Sequence, residues 1–203
     1  MKSVLISIQP KWVEKIASGK KTIEVRKSRP KLETPFKCYI YCTKAKEVVD
    51  IGKTFSWGKE VIGEFVCDRI DEYTAEFVND NDCYEDIRRK WIDDNGEEEF
   101  EIITSNEKDN PEDCKLLKNS CLTYAELKKY IGANFHDIPF YGWHISDLKI
   151  YDKPKELSEF KHWVNDKDYD GWNEQRTKIV KGFVLRPLTR PPQSCCYIES
   201  LGE

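Results

Sequence analysis

The sequence predicts a mixed α+β domain built on a curved or closed sheet of about six or seven short strands. Three observations predict it. Segments that alternate apolar and polar residues recur along the chain, few segments carry helical periodicity, and no P-loop or GxGxxG marks a βαβ nucleotide fold. A length of 203 residues suits one enlarged domain that buries a core without disulfide staples. Six Trp, ten Tyr and nine Phe supply the bulk for that core, despite 34% charged residues.

Residues 2–8 place Val4, Ile6 and Ile8 on one side and predict a strand. Pro10 suits the first turn of a helix, Val13, Ile16 and Ala17 give it an apolar stripe, and Gly19 supplies its left-handed stop. Alternation returns over 22–26, with Ile23 and Val25 facing one way and Thr22, Glu24 and Arg26 the other. Two further strands are predicted over 36–42 and 61–67, the first carrying Lys37, Tyr39 and Tyr41 on its second face. The stretch 71–113 holds one predicted helix near 84–91 and little else that is periodic, so it reads as an acidic insertion bordering the core. Thr123, Glu126 and Gly132 frame a helix over 122–131 by a capping box and a terminal glycine. The run FYGWHISDLKIY, 140–151, predicts one long or bent strand with Gly142 at a bulge or close approach. A short helix over 155–164 and closing strands over 179–185 and 195–199 complete the chain, the last two separated by the proline-rich RPLTRPP.

Charge is segregated along the sequence although the net charge is only −4. Residues 10–31 hold eight Lys or Arg against Glu14 and Glu24, a local +6, whereas 68–113 hold eighteen Asp or Glu against five cations, a local −13. The apolar run from Val4 to Ile8 is too short for a signal peptide and no stretch reaches the length of a membrane span, so a cytoplasmic protein without membrane contact is expected. The eight cysteines are then reduced thiols. Cys38 and Cys42 are too widely spaced for a CxxC, and Cys195 and Cys196 are adjacent, a poor pattern for zinc; no metal and no cofactor are expected.

The segment SGKKTIEVRKSR, 18–29, sets Lys20, Lys21, Arg26, Lys27 and Arg29 around the single Glu24. Such a carboxylate is held ionised and oriented, and the cations around it suit a phosphate. On residue types alone the arrangement is either this or an ion-paired strand face that keeps a sheet soluble. Trp143 is either a stacking platform for a base or a core side chain, and His144 either a general acid or base or a structural histidine. Tyr41 shares its strand face with Lys37, a mixture that suits single-stranded RNA.

Read as GxKxxExR, residues Gly19, Lys21, Glu24 and Arg26 resemble the signature of the ASCH domain family, which is related to PUA RNA-binding domains. The order of PKWVEKIASGKKTIEVRKSRP, FKCYIYCTK, VIGEFVCD and YGWHIS is similar to bacterial and prophage-type members, over about residues 2–152. The resemblance implies a PUA-like small β-barrel of about six strands with short flanking helices. In this chain it would carry an acidic insertion over about 71–113 and a C-terminal extension over about 152–203. It further implies a cleft for RNA or a nucleotide, lined by Lys21, Thr22, Glu24 and Arg26 with Tyr41, Trp143 and His144, and with Lys20 and Lys27 as outer phosphate contacts. Some relatives are hydrolases, an amidohydrolase branch acting on a modified nucleoside and a reported ribonuclease. On that reading Lys21 and Glu24 are the catalytic pair. The amidohydrolase lysine falls on Lys21, but its threonine falls on Glu24 and its glutamate near Ser120, so two of its three positions differ. A third reading is a protein-interaction module whose acidic insertion captures a basic partner. The same acidic stretch disfavours duplex DNA.

Overall fold

The alternation seen in the sequence becomes strand wherever a neighbouring strand is available to pair with it. In this computed structural model the described residues are 2–43, 58–80, 82–93, 95–104, 114–132, 135–136, 138–165 and 183–201. In chain order they form β1 (Lys2–Ile8), α1 (Pro10–Ala17), β2 (Ile23–Arg26), β3 (Phe36–Cys42), β4 (Glu60–Asp80), β5 (Asp82–Ile92) and β6 (Glu98–Thr104). Then follow α2 (Lys115–Ser120), α3 (Tyr124–Ile131), β7 (Phe140–Lys155), β8 (Lys161–Asn165), β9 (Phe183–Pro187) and β10 (Cys195–Glu199). One sheet of eight strands runs in the order β10-β1-β3-β4-β5-β6, with β7 paired to β4 and β2 to β7; β8 and β9 form a separate pair. The sheet therefore exceeds the six strands expected, and among the described residues its pairings stay open. A mostly-β fold with few helices replaces the small closed barrel.

The chain groups into two compact units. Unit 1 comprises Met1–Val13, Lys37–Phe65 and Leu148–Glu203. Its strand β1 pairs antiparallel with β10 and parallel with β3, and the near-continuous apolar run of β1 is buried on both faces. The same holds for β3, so Tyr39 and Tyr41 pack with Leu5, Val61, Phe160 and Ile198 in the core. Burial of both faces is what a central strand meets, and the sequence alternation of β3 did not disclose it. The helix expected over 155–164 is a single 3-10 turn, Leu157–Glu159, followed by strand β8. Pairing of His162 with Arg186 and of Val164 with Val184 draws that segment into the β8–β9 ladder. Of the strand expected over 179–185, residues 179–182 lie outside the described residues.

Unit 2 comprises Glu14–Phe36 and Val66–Asp147. Its hairpin β4–β5 continues into β6, so the helix expected near 84–91 is a strand. Cross-strand charge decides this. Arg88 pairs with Glu76, Arg89 Nη2 with Glu101 Oε2 at 2.7 Å, and Lys90 with Glu98, so the acids and the basic run that are separate in sequence interleave in space. The predicted helix over 122–131 forms as α3, with the Glu126 N–H donating to the Thr123 hydroxyl and the Thr123 N–H donating to the Glu126 carboxylate. An aromatic row of Tyr73, Phe140 and Phe135, with stacked neighbours 5.6 and 6.1 Å apart, fills this unit's core.

Two glycines mark close backbone approaches. At Gly142 a Cβ would meet both Ile23 and Tyr73 at 3.0 Å, the close approach expected from the sequence. At Gly63 it would stand 2.5 Å from the Lys149 carbonyl oxygen, which is backbone and has little room to yield. Replacing Gly63 by Ala is accordingly expected to cost about 1–3 kcal/mol in denaturant unfolding. Gly58→Ala, where an added Cβ meets nothing within 4 Å, should be close to neutral in the same measurement.

Candidate functional site

The motif strand is anchored before its side chains are considered. Gly19, at φ 73°, ends α1 and donates its N–H to the Ile16 carbonyl at 2.9 Å. The Thr22 N–H then donates to the Asn119 carbonyl at 2.8 Å, and the Thr22 carbonyl accepts from the Ile145 N–H at 2.9 Å. Strand β2 is thus pinned to the end of α2 and to β7, against which Glu24 faces Trp143 and Ile23 faces His144.

Its charged side chains turn inward. Lys21, Glu24 and Arg26 are 3%, 8% and 5% exposed. The Lys21 ammonium donates to the carbonyls of Ile23 at 2.9 Å and Ser120 at 2.8 Å, and pairs with Glu24 Oε2 at 3.2 Å. The other Glu24 oxygen, Oε1, meets Arg26 Nη2 at 3.1 Å. Buried charge is tolerated only when paired and hydrogen-bonded, and here one carboxylate is shared between two cations.

A second polar cluster lies on β4 and β7 of the same unit. His144 Nε2 lies 2.8 Å from Asp71 Oδ2 and donates to that carboxylate, while Arg69 Nη2 stands against both ring nitrogens, 3.1 Å from Nε2 and 3.4 Å from Nδ1. Arg69 Nε pairs with Asp71 Oδ1 at 3.2 Å, and the Tyr73 hydroxyl donates to Asp71 Oδ2 at 3.4 Å. Burial pushes the Asp71 carboxyl up, but the His144 hydrogen bond and the charges of His144, Arg69 and Arg89 outweigh it and hold the group below the usual carboxylate range. Burial first, and then the Asp71 charge, push the Tyr73 phenol well above its ordinary value. This cluster opens on a cleft of about 260 Å³, whose wall also includes Arg89, Lys115, Asn119 and the apolar Ile23. Two carboxylates, Asp71 and Glu101, and three cations, Arg69, Arg89 and Lys115, face it. The balance favours an anion modestly.

The residues singled out in the sequence separate into groups. Lys21, Glu24 and Arg26 meet in the buried triad, while Lys20, Thr22 and Lys27 are exposed, with Lys27 Nζ 5.4 Å from the Tyr130 ring centre. Trp143 is fully buried and packs edge-on to Phe36, and Tyr41 lies in the core of unit 1. Of the named residues, His144 lines the cleft. Arg69, Asp71, Arg89, Lys115 and Asn119 were not singled out from the sequence. Arg69, Asp71 and Tyr73 do follow one another at every second position of a strand, a spacing that puts all three on one face.

Among the described residues no three His, Cys, Asp or Glu side chains group as metal ligands, and no helix is long and apolar enough to cross a membrane. Burial pushes the thiols of Cys42 and Cys196 up to about 11, and burial together with the Asp68 charge pushes that of Cys67 up to about 12.

The family model described as the ASCH domain matches residues 6–139, well over half of the chain. The chain belongs to the ASCH family. The crystal structure of an ASCH protein from Zymomonas mobilis shares 16% identity with this ASCH chain at a TM-score of 0.50, covering 97% of this chain and 87% of the other. A Ser-to-Ala variant of that protein gives 15% identity and a TM-score of 0.49 over 97% and 88% of the two chains. Its Tyr-to-Phe variant gives 17% and 0.44 over 77% of each. At 16% identity the first of these speaks for the fold alone. No curated protein matches the sequence.

Two outcomes follow from this geometry. Lys21→Met strips the buried Glu24 of one partner and leaves the Ser120 carbonyl without its donor, so unfolding in urea should show a loss of about 3–5 kcal/mol. For Asp71 the folded carboxyl titrates below its unfolded value. Its contribution is therefore present at neutral pH and is lost as pH falls through the folded value. Melting temperatures measured from about pH 7 down to pH 3 should drop on the acid side, and Asp71→Asn should flatten that limb.

Proposed function

We propose that this ASCH-domain chain binds RNA or a nucleotide in the cleft beside the motif strand, in an RNA-linked role. The observation that carries the reading is the convergence of Arg69, Arg89, Lys115 and His144 on one cleft whose wall includes Ile23 of the motif strand. Phosphate contacts supply most of the affinity of such sites, and they need cations that are not wholly consumed by internal pairing. Arg69 retains 59% side-chain exposure and Lys115 is exposed, so both are available to a ligand. The GxKxxExR motif serves here as the frame of the wall. Lys20 and Lys27, exposed on either side of the motif strand, act as outer contacts.

The hydrolase reading asks Glu24 to act as a general base with Lys21 beside it. Both oxygens of Glu24 are already held by cations and the residue is 8% exposed, so neither oxygen is turned to a ligand and binding is the better supported role. In the acidic stretch that the partner-capturing reading invokes, Glu76, Glu98 and Glu101 are paired with Arg88, Lys90 and Arg89, although the stretch as a whole stays net acidic.

Titration of a short single-stranded RNA at two salt concentrations tests the proposal. In the double variant Arg69→Glu, Lys115→Glu, affinity should fall at least about tenfold, and the salt slope should shrink by about 1.4 for two lost phosphate contacts. Unchanged affinity and slope would refute it.

A further inference from the structure

Most polar groups of the cleft are already engaged with one another, and those that are not define what the cleft lacks. Asp71 is held by His144, Arg69 and Tyr73, and Glu101 by Arg89. Asn119 is different. Its backbone carbonyl is fixed by the Thr22 N–H at 2.8 Å, and the neighbouring Ser120 carbonyl by the Lys21 ammonium at 2.8 Å. Among the described residues no hydrogen bond engages the side-chain amide of Asn119, a half-buried residue of the cleft wall. The protein therefore holds a donor and an acceptor on a rigid backbone and uses neither. Beside it stand the apolar Ile23 and Leu116, 3% and 2% exposed, and the ammonium of Lys115. Across the cleft Arg69 gives Nε to Asp71 and Nη2 to His144, which leaves Nη1 for an anion.

An apolar lining that includes the exposed Ile102, one amide with paired donor and acceptor, and cations on the rim are complementary to a single nucleotide. The wall suits the face of a base, the amide suits a base edge, which presents a donor next to an acceptor, and the cations suit the phosphate. Volume sets the number of units. About 260 Å³ lies just below the range of sites for drug-sized molecules, enough for one nucleotide and too small for a stacked run.

We infer that the cleft is a single-nucleotide site, with the phosphate on Arg69 and Lys115 and the base edge read by the Asn119 amide. Asn119 is then the specificity-determining residue. The inference rests on the RNA-or-nucleotide reading and narrows it to one unit whose base is discriminated. It differs from the motif-centred expectation in that Lys21, Glu24 and Arg26 touch no ligand and act by fixing the backbone at residues 119 and 120.

Calorimetric titration of the full chain with the four common nucleoside 5′-monophosphates, the matching nucleosides, inorganic phosphate and a short single-stranded RNA separates the outcomes. The monophosphates should bind with a ranking among bases, and the nucleosides at least about tenfold more weakly. Asn119→Leu should flatten the base ranking while keeping the gap between nucleotide and nucleoside. Arg69→Gln should close that gap while keeping the ranking. Asn119→Asp, which preserves shape and removes the donor, repeats the ranking test should the leucine variant fold poorly. An unchanged ranking in both Asn119 variants overturns the inference, as does inorganic phosphate binding as tightly as the nucleotides. RNA bound without any mononucleotide binding overturns it and leaves the broader reading standing. No binding of any of these overturns both.

Discussion

The ammonium of Lys21 is the constraint on which the rest of unit 2 depends. It sits almost out of water and gives its protons to two backbone carbonyls and a carboxylate, so its acceptors are complete only where β2, the end of α2 and Glu24 are all in place. Burying an ion costs several kcal/mol even after relaxation, and only a complete set of acceptors offsets that. Arg26 draws on the same carboxylate, which leaves the triad with one more positive charge than negative. Such a group tolerates little rearrangement. Any shift of α2 against β2 would strand a cation, and so the wall of the cleft is held by electrostatics as well as by packing.

Local chemistry was legible in the sequence wherever it is self-contained. The capping box of α3 and the left-handed stop at Gly19 are written in adjacent residues, and both form as read. Segments whose state depends on distant partners were not legible. EDIRRKWI has a helix-compatible composition, but Arg88, Arg89 and Lys90 find carboxylates on flanking strands, and tertiary pairing overrides local preference. Strand β3 shows the same limit from the other side. Its alternation marks it as a strand, yet nothing in it says that Tyr39 and Tyr41 face a core.

The site divides along the same line. His144 could be picked out by residue type, and its role could not, since Asp71 and Arg69 lie more than seventy residues earlier in the chain. The motif drew attention to Lys21, Glu24 and Arg26 because they are close together. Their neighbourhood in sequence reflects a shared structural duty, whereas the groups facing the cleft are gathered from β2, β4, β5, β6, α2 and β7. The three charged side chains of the motif are buried and paired with one another, and of their strand Ile23 is the residue that lines the cleft.

The cysteines give each compact unit an internal gauge of its own integrity. Thiols raised to about 11 at Cys42 and Cys196 in unit 1, and to about 12 at Cys67 in unit 2, are almost wholly protonated at neutral pH. A reagent that attacks only thiolates is blind to them while their strands are closed. Reaction at Cys67 then counts openings of β4 beyond Phe65, and reaction at Cys42 counts openings of β3. The two parts of the fold can thus be timed separately in one native chain, without an added label.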